Sequence, residues 1–204
     1  RHKVKLFYQI STHEGYGALR LGTKERFTED SPLRPNSPYS ASKTSADLLV
    51  QAYHHTYKMP VVISRCSNNY GPKQHAEKFI PTVILNALHN KPVPIYGDGL
   101  YVRDWIHVMD HCRAIDLIIH KGKSGEIYNV GADNEWANID LAKKILKILG
   151  KPESLLTSVK DRPGHDRRYA IDSTKLKREL GWKPSITFDK GLVDTVHRYS
   201  KTNK

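Results

Sequence analysis

A chain of 204 residues, 38% hydrophobic and 26% charged, fits a soluble globular protein with enough core for one domain or a small pair, and no apolar run approaches a bilayer helix of roughly 20 residues. The net charge of +12 is dispersed, with Lys+Arg against Asp+Glu standing at 9 and 5 in residues 1–58, 11 and 9 in 59–150, and 13 and 7 in 151–204. Its longest cationic clusters are pairs such as Arg167-Arg168 and Lys143-Lys144, and no zinc-finger, RNA-sheet or basic-zipper signature accompanies them, which excludes a nucleic-acid partner and leaves phosphate on a small ligand to explain the basic balance.

The N-terminal residues lack the apolar stretch and cleavage site of a signal peptide, and Cys66 and Cys112 form no metal-like spacing, so both read as reduced core thiols of a cytoplasmic protein without a metal site. In chain order, residues 4–10 read as a buried strand that ends in the polar, glycine-punctuated segment Ser11-Thr12-His13-Glu14-Gly15-Tyr16-Gly17. A helix follows over 39–57, with Ala46, Leu49, Val50 and Tyr53 on its apolar stripe. A strand over 61–65 leads into a polar turn, Cys66-Ser67-Asn68-Asn69-Tyr70-Gly71-Pro72. Then come a helix over 79–89, a strand over 93–96, an extended stretch over 104–108, and a helix over 110–120 capped by Asp110. A strand over 126–130 and helices over 138–149 and 174–180, stopped by Gly150 and Gly181, complete the pattern. Such alternation argues an α/β protein with a largely parallel sheet, in which ligands bind beyond the carboxyl ends of the strands.

Tyr39 and Lys43 stand four residues apart and so share one helix face. An ammonium one turn from a phenol lowers its pKa and yields a group able to take or return a proton near neutral pH.

Taken together, Ser11-Thr12-His13-Glu14, Tyr39 with Lys43, the Asn68-Asn69-Tyr70-Gly71-Pro72 run, Pro94-Ile95-Tyr96-Gly97, Arg103-Asp104-Trp105 and Asp161-Arg162-Pro163-Gly164-His165-Asp166-Arg167-Arg168 resemble, in this order, the dTDP-glucose 4,6-dehydratase family of extended short-chain dehydrogenases. The resemblance implies an NAD-dependent lyase that oxidises the sugar C4 hydroxyl, eliminates water across C5 and C6 and returns the hydride to C6. It assigns Tyr39 as base on the C4 hydroxyl, Lys43 as the group holding Tyr39 and the nicotinamide ribose, Thr12 as a hydrogen-bond partner of the C4 oxygen, and Glu14 as base for the C5 proton. Ser11 and Asn69 would join Tyr39 and Lys43 at the cofactor. Asn68, Lys78, Phe79, Pro94, Tyr96, Arg103, Asn138, Asp161, Arg162 and His165 would join Thr12 in the substrate shell, with Arg103 on the diphosphate through its planar fork.

The resemblance also implies two domains: residues 1–72 as the C-terminal part of a Rossmann NAD-binding unit, and 73–204 as mainly a smaller α/β nucleotide-sugar domain, with some segments returning to the Rossmann sheet. A homodimer through the helix of Tyr39 is implied as well. Two departures stand out. The glycine-rich turn and first βα units of the family are not in this sequence, so the expectation is a fragment or a chain working beside a separate N-terminal half. His13 stands where the family carries an aspartic acid that protonates the departing C6 hydroxyl, and Gly15 replaces the usual valine. An imidazolium with an ordinary pKa near 6.5 is a competent acid, and Glu14 beside it would favour the charged form. The alternatives are a related sugar-nucleotide epimerase or dehydratase and a non-catalytic nucleotide-sugar-binding remnant.

Overall fold

The computed structural model describes residues 4–202. Strand β1 (Phe7–Thr12) runs into a 3-10 turn (His13–Tyr16), followed by helix α1 (Pro38–Tyr57), β2 (Val61–Cys66), β3 (Asn68–Tyr70), α2 (Phe79–Leu88), β4 (Val93–Tyr96), β5 (Val102–His107) and α3 (Val108–Lys121). Then come β6 (Ile127–Val130), β7 (Glu135–Ala137), α4 (Asn138–Leu149), β8 (Leu156–Val159), α5 (Thr174–Leu180) and α6 (Phe188–Thr202). The strands form three small sheets in the orders β1-β2-β6, β3-β5-β7 and β4-β8, all parallel except the β5–β7 pair. The α/β class with a largely parallel sheet is therefore observed, and β6 joins β1 and β2 although far from them in sequence.

Local chemistry explains most boundaries. Pro38 opens α1 at a position where its missing N–H costs nothing, and Ser37 and Ser40 satisfy the end reciprocally as a capping box. Gly150 and Gly181 stop α4 and α5 in the left-handed region, with φ of 64° and 71°.

Several expectations are corrected. The first strand begins at Phe7, where pairing to Val61 becomes possible, and only its end, Ser11 and Thr12, is buried: Phe7 and Ile10 are exposed because β1 lies at the sheet edge among the described residues. On α1 the buried face is Ser40, Thr44, Asp47 and Val50, whereas Leu49 and Tyr53 face outward, so of the expected apolar stripe only Val50 is buried in this chain's core, beside Val61 and Ile63. The turn after β2 contains β3. His107, rather than Asp110, caps α3 by accepting from the Met109 N–H, and Asp110 is instead buried, accepting from the Ser185 and Ile186 N–H groups and the Ser185 hydroxyl. Cys112 is exposed rather than in the core; both thiols are free.

Two apolar cores flank β5. Ile80, Ile84, Leu141, Ile145, Leu192 and Val196 pack helices α2, α4 and α6 around Trp105, while Val62, Ile106, Ala114, Ile118, Val130 and Leu176 join the β2 and β6 strands to α3 and α5. The period of two along a strand puts Trp105 and Arg103 on one face of β5 and Asp104 and Ile106 on the other.

Candidate active site

The carboxyl ends of β1 and β2 meet in register, Thr12 opposite Cys66, and the 3-10 turn caps that corner. Thr12 Oγ1 accepts from the Glu14 N–H at 3.2 Å, which leaves its own hydroxyl proton free. Gly15 lets α1 approach closely, since a Cβ there would lie 2.7 Å from Thr44 Oγ1. Beneath the turn, Arg65 donates to Asp47 at 2.9 Å and to the Tyr16 hydroxyl at 3.0 Å, and Tyr16 donates to Asn129 Oδ1 at 2.8 Å. This buried chain ties α1, β2, β6 and the turn to one another.

His13 is buried, with Nδ1 2.6 Å from the Cys66 carbonyl oxygen and Nε2 without a hydrogen-bond partner among the described residues. A carbonyl only accepts, so the proton sits on Nδ1 and Nε2 is a bare lone pair. Burial pulls the imidazole down to about 4, helped by the Arg103 charge. The expected imidazolium is thus corrected: desolvation outweighs any neighbouring carboxylate, and His13 is neutral at pH 7. Burial pushes the Glu14 carboxyl up, against the opposing pull of Arg103, Arg162 and Lys78.

Tyr39 is 57% exposed. Its phenol stands above the ordinary value, raised by partial burial and by the Glu14 charge, and Lys43 does not lower it, because that ammonium is held 2.8 Å from the Ile10 carbonyl oxygen. The simple phenol-activation expectation is corrected for the free protein. Ser11 is buried beside Thr12. Asn69 turns inward: its amide donates to the Ser67 carbonyl at 3.1 Å and to Cys66 Sγ at 3.5 Å, and its Oδ1 lies 2.8 Å from His111 Nδ1. Asn68 presents a buried Oδ1 with no partner among the described residues.

On the β5 side, Arg103 is buried to 6% exposure, donates to the Val102 carbonyl at 2.8 Å and stacks 4.4 Å from the centroid of Tyr169. No carboxylate lies within ion-pair distance of it among the described residues. Burial lowers its pKa, with Glu14 and Asp166 pulling the other way.

Lys78 is exposed and pairs with Glu77 at 3.3 Å, Phe79 stacks on Trp105 at 6.3 Å, and Pro94 and Tyr96 lie on β4. Asp161 accepts from the Tyr101 hydroxyl and from the Arg162 N–H at 2.9 Å and lies 2.8 Å from His165 Nδ1; these bonds hold its carboxyl down to about 2. His165 stacks on Tyr101 at 3.7 Å, and the Asn138 N–H donates to the Tyr101 carbonyl at 2.9 Å. Asp161, His165, Tyr101 and Asn138 therefore form one cluster, while Arg162 is exposed beside it. Sequence reasoning missed Tyr101, Tyr169 and His111. The signal for Tyr101 and Tyr169 was present, since each lies within two residues of a motif arginine. Among the described residues no group of three or more His, Cys, Asp and Glu is arranged to hold a metal, and no helix is long and apolar enough to cross a membrane.

Comparison with known proteins gives a consistent picture. Residues 1–195 match the family model described as GDP-mannose 4,6 dehydratase. The chain is 53% identical over 202 residues to a dTDP-glucose 4,6-dehydratase of Xanthomonas campestris, covering 95% of this chain and 57% of that protein. A crystal structure of dTDP-glucose 4,6-dehydratase from Bacillus anthracis in complex with NAD superposes with a TM-score of 0.92 at 52% identity, over 96% of this chain and 62% of that one. A UDP-glucuronic acid 4-epimerase from Bacillus cereus, in complex with UDP-glucuronic acid and NAD, superposes with a TM-score of 0.91 at 28% identity, over 98% of this chain and 63% of that one. The chain thus spans less than two thirds of the length of each.

Proposed function

The chain belongs to the GDP-mannose 4,6-dehydratase family, and we propose that it supplies the catalytic and substrate-binding part of a dTDP-glucose 4,6-dehydratase, converting dTDP-glucose to dTDP-4-keto-6-deoxyglucose. The observation that carries this reading is that Glu14 shares one electrostatic corner with Tyr39 on one side and with Arg103, a buried guanidinium without a carboxylate partner, on the other. A desolvated cation without a carboxylate partner invites an anion, and the planar fork of arginine fits a diphosphate.

The residues at the corner fit the nicotinamide end of NAD. Lys43 retains two N–H donors beyond the one given to Ile10, and the half-exposed Tyr39 hydroxyl lies on the same helix face. When bound, NAD supplies an acceptor for the C4 hydride and a donor for its return to C6. Tyr39 takes the C4 hydroxyl proton, and Thr12 donates its free hydroxyl proton to the C4 oxygen. Glu14, whose carboxylate burial makes a stronger base, takes the proton from C5. His13, neutral and with its Nδ1–H tied to Cys66, must first take up a proton on its open Nε2 before it protonates the departing C6 hydroxyl, which then leaves as water.

Residues 1–72 with β6 form the cofactor side in this reading, and most of 73–204 the nucleotide-sugar side. The exposed edge of β1 accepts a further strand from an N-terminal dinucleotide-binding half, on the same or a separate chain, and the outward Leu48, Leu49, Tyr53 and Tyr57 of α1 form the contact of a cytoplasmic homodimer.

Titration calorimetry with dTDP-glucose tests the reading. Arg103→Lys should weaken binding by about 1.5–3 kcal/mol, since a point charge cannot replace the bidentate fork. Equal affinities for the two proteins would make Arg103 a structural residue and remove the reading's main support.

A further inference from the structure

Tyr169 is buried to 5% exposure, and two residues of the candidate site meet on its ring: Arg103 lies 4.4 Å from the centroid, and the His13 ring packs edge-on at 4.7 Å. Its hydroxyl donates to Asp166 Oδ2 at 2.5 Å, and the other oxygen of Asp166 accepts from Asn36 Nδ2 at 2.7 Å. Asn36 immediately precedes the Ser37 cap of α1, the helix that carries Tyr39. Burial and the Asp166 charge raise the Tyr169 phenol, so it stays a donor.

Glu14 and Asp166 both act on the Arg103 guanidinium electrostatically, and Asp166 is the buried one of the two. With one oxygen held by Tyr169 and the other by Asn36, it lies outside ion-pair reach of Arg103. The ring of Tyr169 meanwhile fixes the guanidinium from one side by a cation–π contact that desolvation strengthens. Apart from the bond to its own backbone neighbour, Arg103 is left with its remaining N–H groups uncommitted.

We propose that Tyr169, locked by Asp166, is a positioning residue that aims Arg103 at the diphosphate of the ligand, while Asp166 and Asn36 anchor this platform to the start of the Tyr39 helix. The inference rests on the nucleotide-sugar reading given above. A platform that holds a buried cation ready, with its internal counter-ion withheld, lowers the reorganisation needed when the anion arrives.

Calorimetric titration of the protein with dTDP and with dTMP separates the possibilities. Tyr169→Leu removes both the ring and the hydroxyl and should raise the dTDP dissociation constant roughly tenfold, the scale of a desolvated cation–π contact, while changing dTMP binding less. In the Arg103→Gln background the same substitution should cost almost nothing further, because both changes disable one interaction. Tyr169→Phe keeps the ring and should recover part of the affinity. Full additivity of Tyr169→Leu with Arg103→Gln, or equal losses for dTDP and dTMP, would overturn the platform and leave Tyr169 a packing residue. Should Tyr169→Leu not fold, Asp166→Asn, which keeps the shape but turns one acceptor into a donor, decides by the same coupling criterion. Wild-type protein that binds neither nucleotide would overturn the nucleotide-sugar reading and the platform together, whereas intact binding that depends on Arg103 but not on Tyr169 would overturn the platform alone.

Discussion

The two ends of the candidate site are built from different materials. Under the corner of Glu14 and Tyr39, Arg65, Asp47, Tyr16 and Asn129 make charged and neutral hydrogen bonds in the dry interior, linking four elements that are distant in sequence. Along the proposed nucleotide side, Arg167 and Asp98 form a bidentate pair at 2.8 Å near the surface, Arg167 stacks 4.5 Å from the centroid of Tyr101, and Tyr101 stacks on His165. The first arrangement fixes positions, because breaking any member leaves a buried polar group unpaired. In the second, the Arg167–Asp98 pair is solvated and can rearrange at little cost. Proton transfer tolerates little misplacement, whereas gripping a nucleotide gains from adjustable side chains.

The largest effect should come from the group whose chemistry the rigid corner has altered. In the protein joined to an NAD-binding half, His13→Asp should raise formation of the 4-keto-6-deoxy product by something like the 10²–10⁴-fold typical of one general acid. Wild-type protein should turn over more slowly, with enzyme-bound NADH and the 4-keto sugar building up ahead of product, read by absorbance and product analysis. Normal wild-type turnover with no gain in the variant would make His13 a working acid and show that the corner opens during catalysis.

Next in size is the buried pair itself. Asp47→Ala strands a guanidinium that is 2% exposed, so unfolding in urea should show a loss of about 3–5 kcal/mol, the range for breaking a buried ion pair by removing one partner. A loss below about 1 kcal/mol would mean water reaches Arg65, and the contrast between the two ends would fail.

Two buried titrating groups, His13 at the corner and Asp104 on the face of β5 away from Arg103, add a contrast of opposite signs. His13 falls from 6.5 to about 4 on folding, so the unfolded chain binds more protons between those values and stability rises with pH across that window. Asp104 has one oxygen bonded to the Asn134 N–H and the other unpartnered, and burial raises it from 3.8 to about 6, so stability falls as pH rises through that range. Each shift corresponds to about 3 kcal/mol at most. In the wild type the two largely offset one another between pH 4 and 6. Asp104→Asn should therefore unfold with a steeper rise in stability over this range and His13→Phe with a fall, both read from denaturation midpoints at several pH values. Parallel profiles would show that one group is hydrated in the folded state.

Much of this was legible in the sequence because the α/β alternation, the Pro38 and glycine boundaries of the helices, and the motif order are local signals. What escaped were consequences of distance and burial. Leu49 and Tyr53 read as core because periodicity reports an apolar stripe without saying which surface covers it. His13 read as cationic because sequence adjacency to Glu14 is visible while the Cys66 carbonyl, 53 residues away, is not. Strands β7 and β8 are three and four residues long, too short for a period to register, and Tyr169 gained its meaning only when β5 brought Arg103 onto its ring.

The smallest effect should belong to the exposed pair. Asp98→Asn removes the carboxylate charge that holds Arg167, and that bond also keeps Asp98 down to about 2. Both side chains stay in contact with water, so the Coulomb gain is screened and offset by the entropy of ordering two long groups. The unfolding midpoint should be indistinguishable from wild type, in low salt and in high salt alike. Nucleotide affinity is the quantity to watch instead, because Arg167 loosened from Asp98 frees the Tyr101 ring on which His165 stacks, and that loop carries Asp161. A weaker grip on dTDP with an unchanged midpoint would confirm that this side is organised for ligand rather than for fold. A midpoint lowered as far as that of Asp47→Ala would mean that the surface network carries the stability assigned to the buried one, and the two ends would not differ in kind.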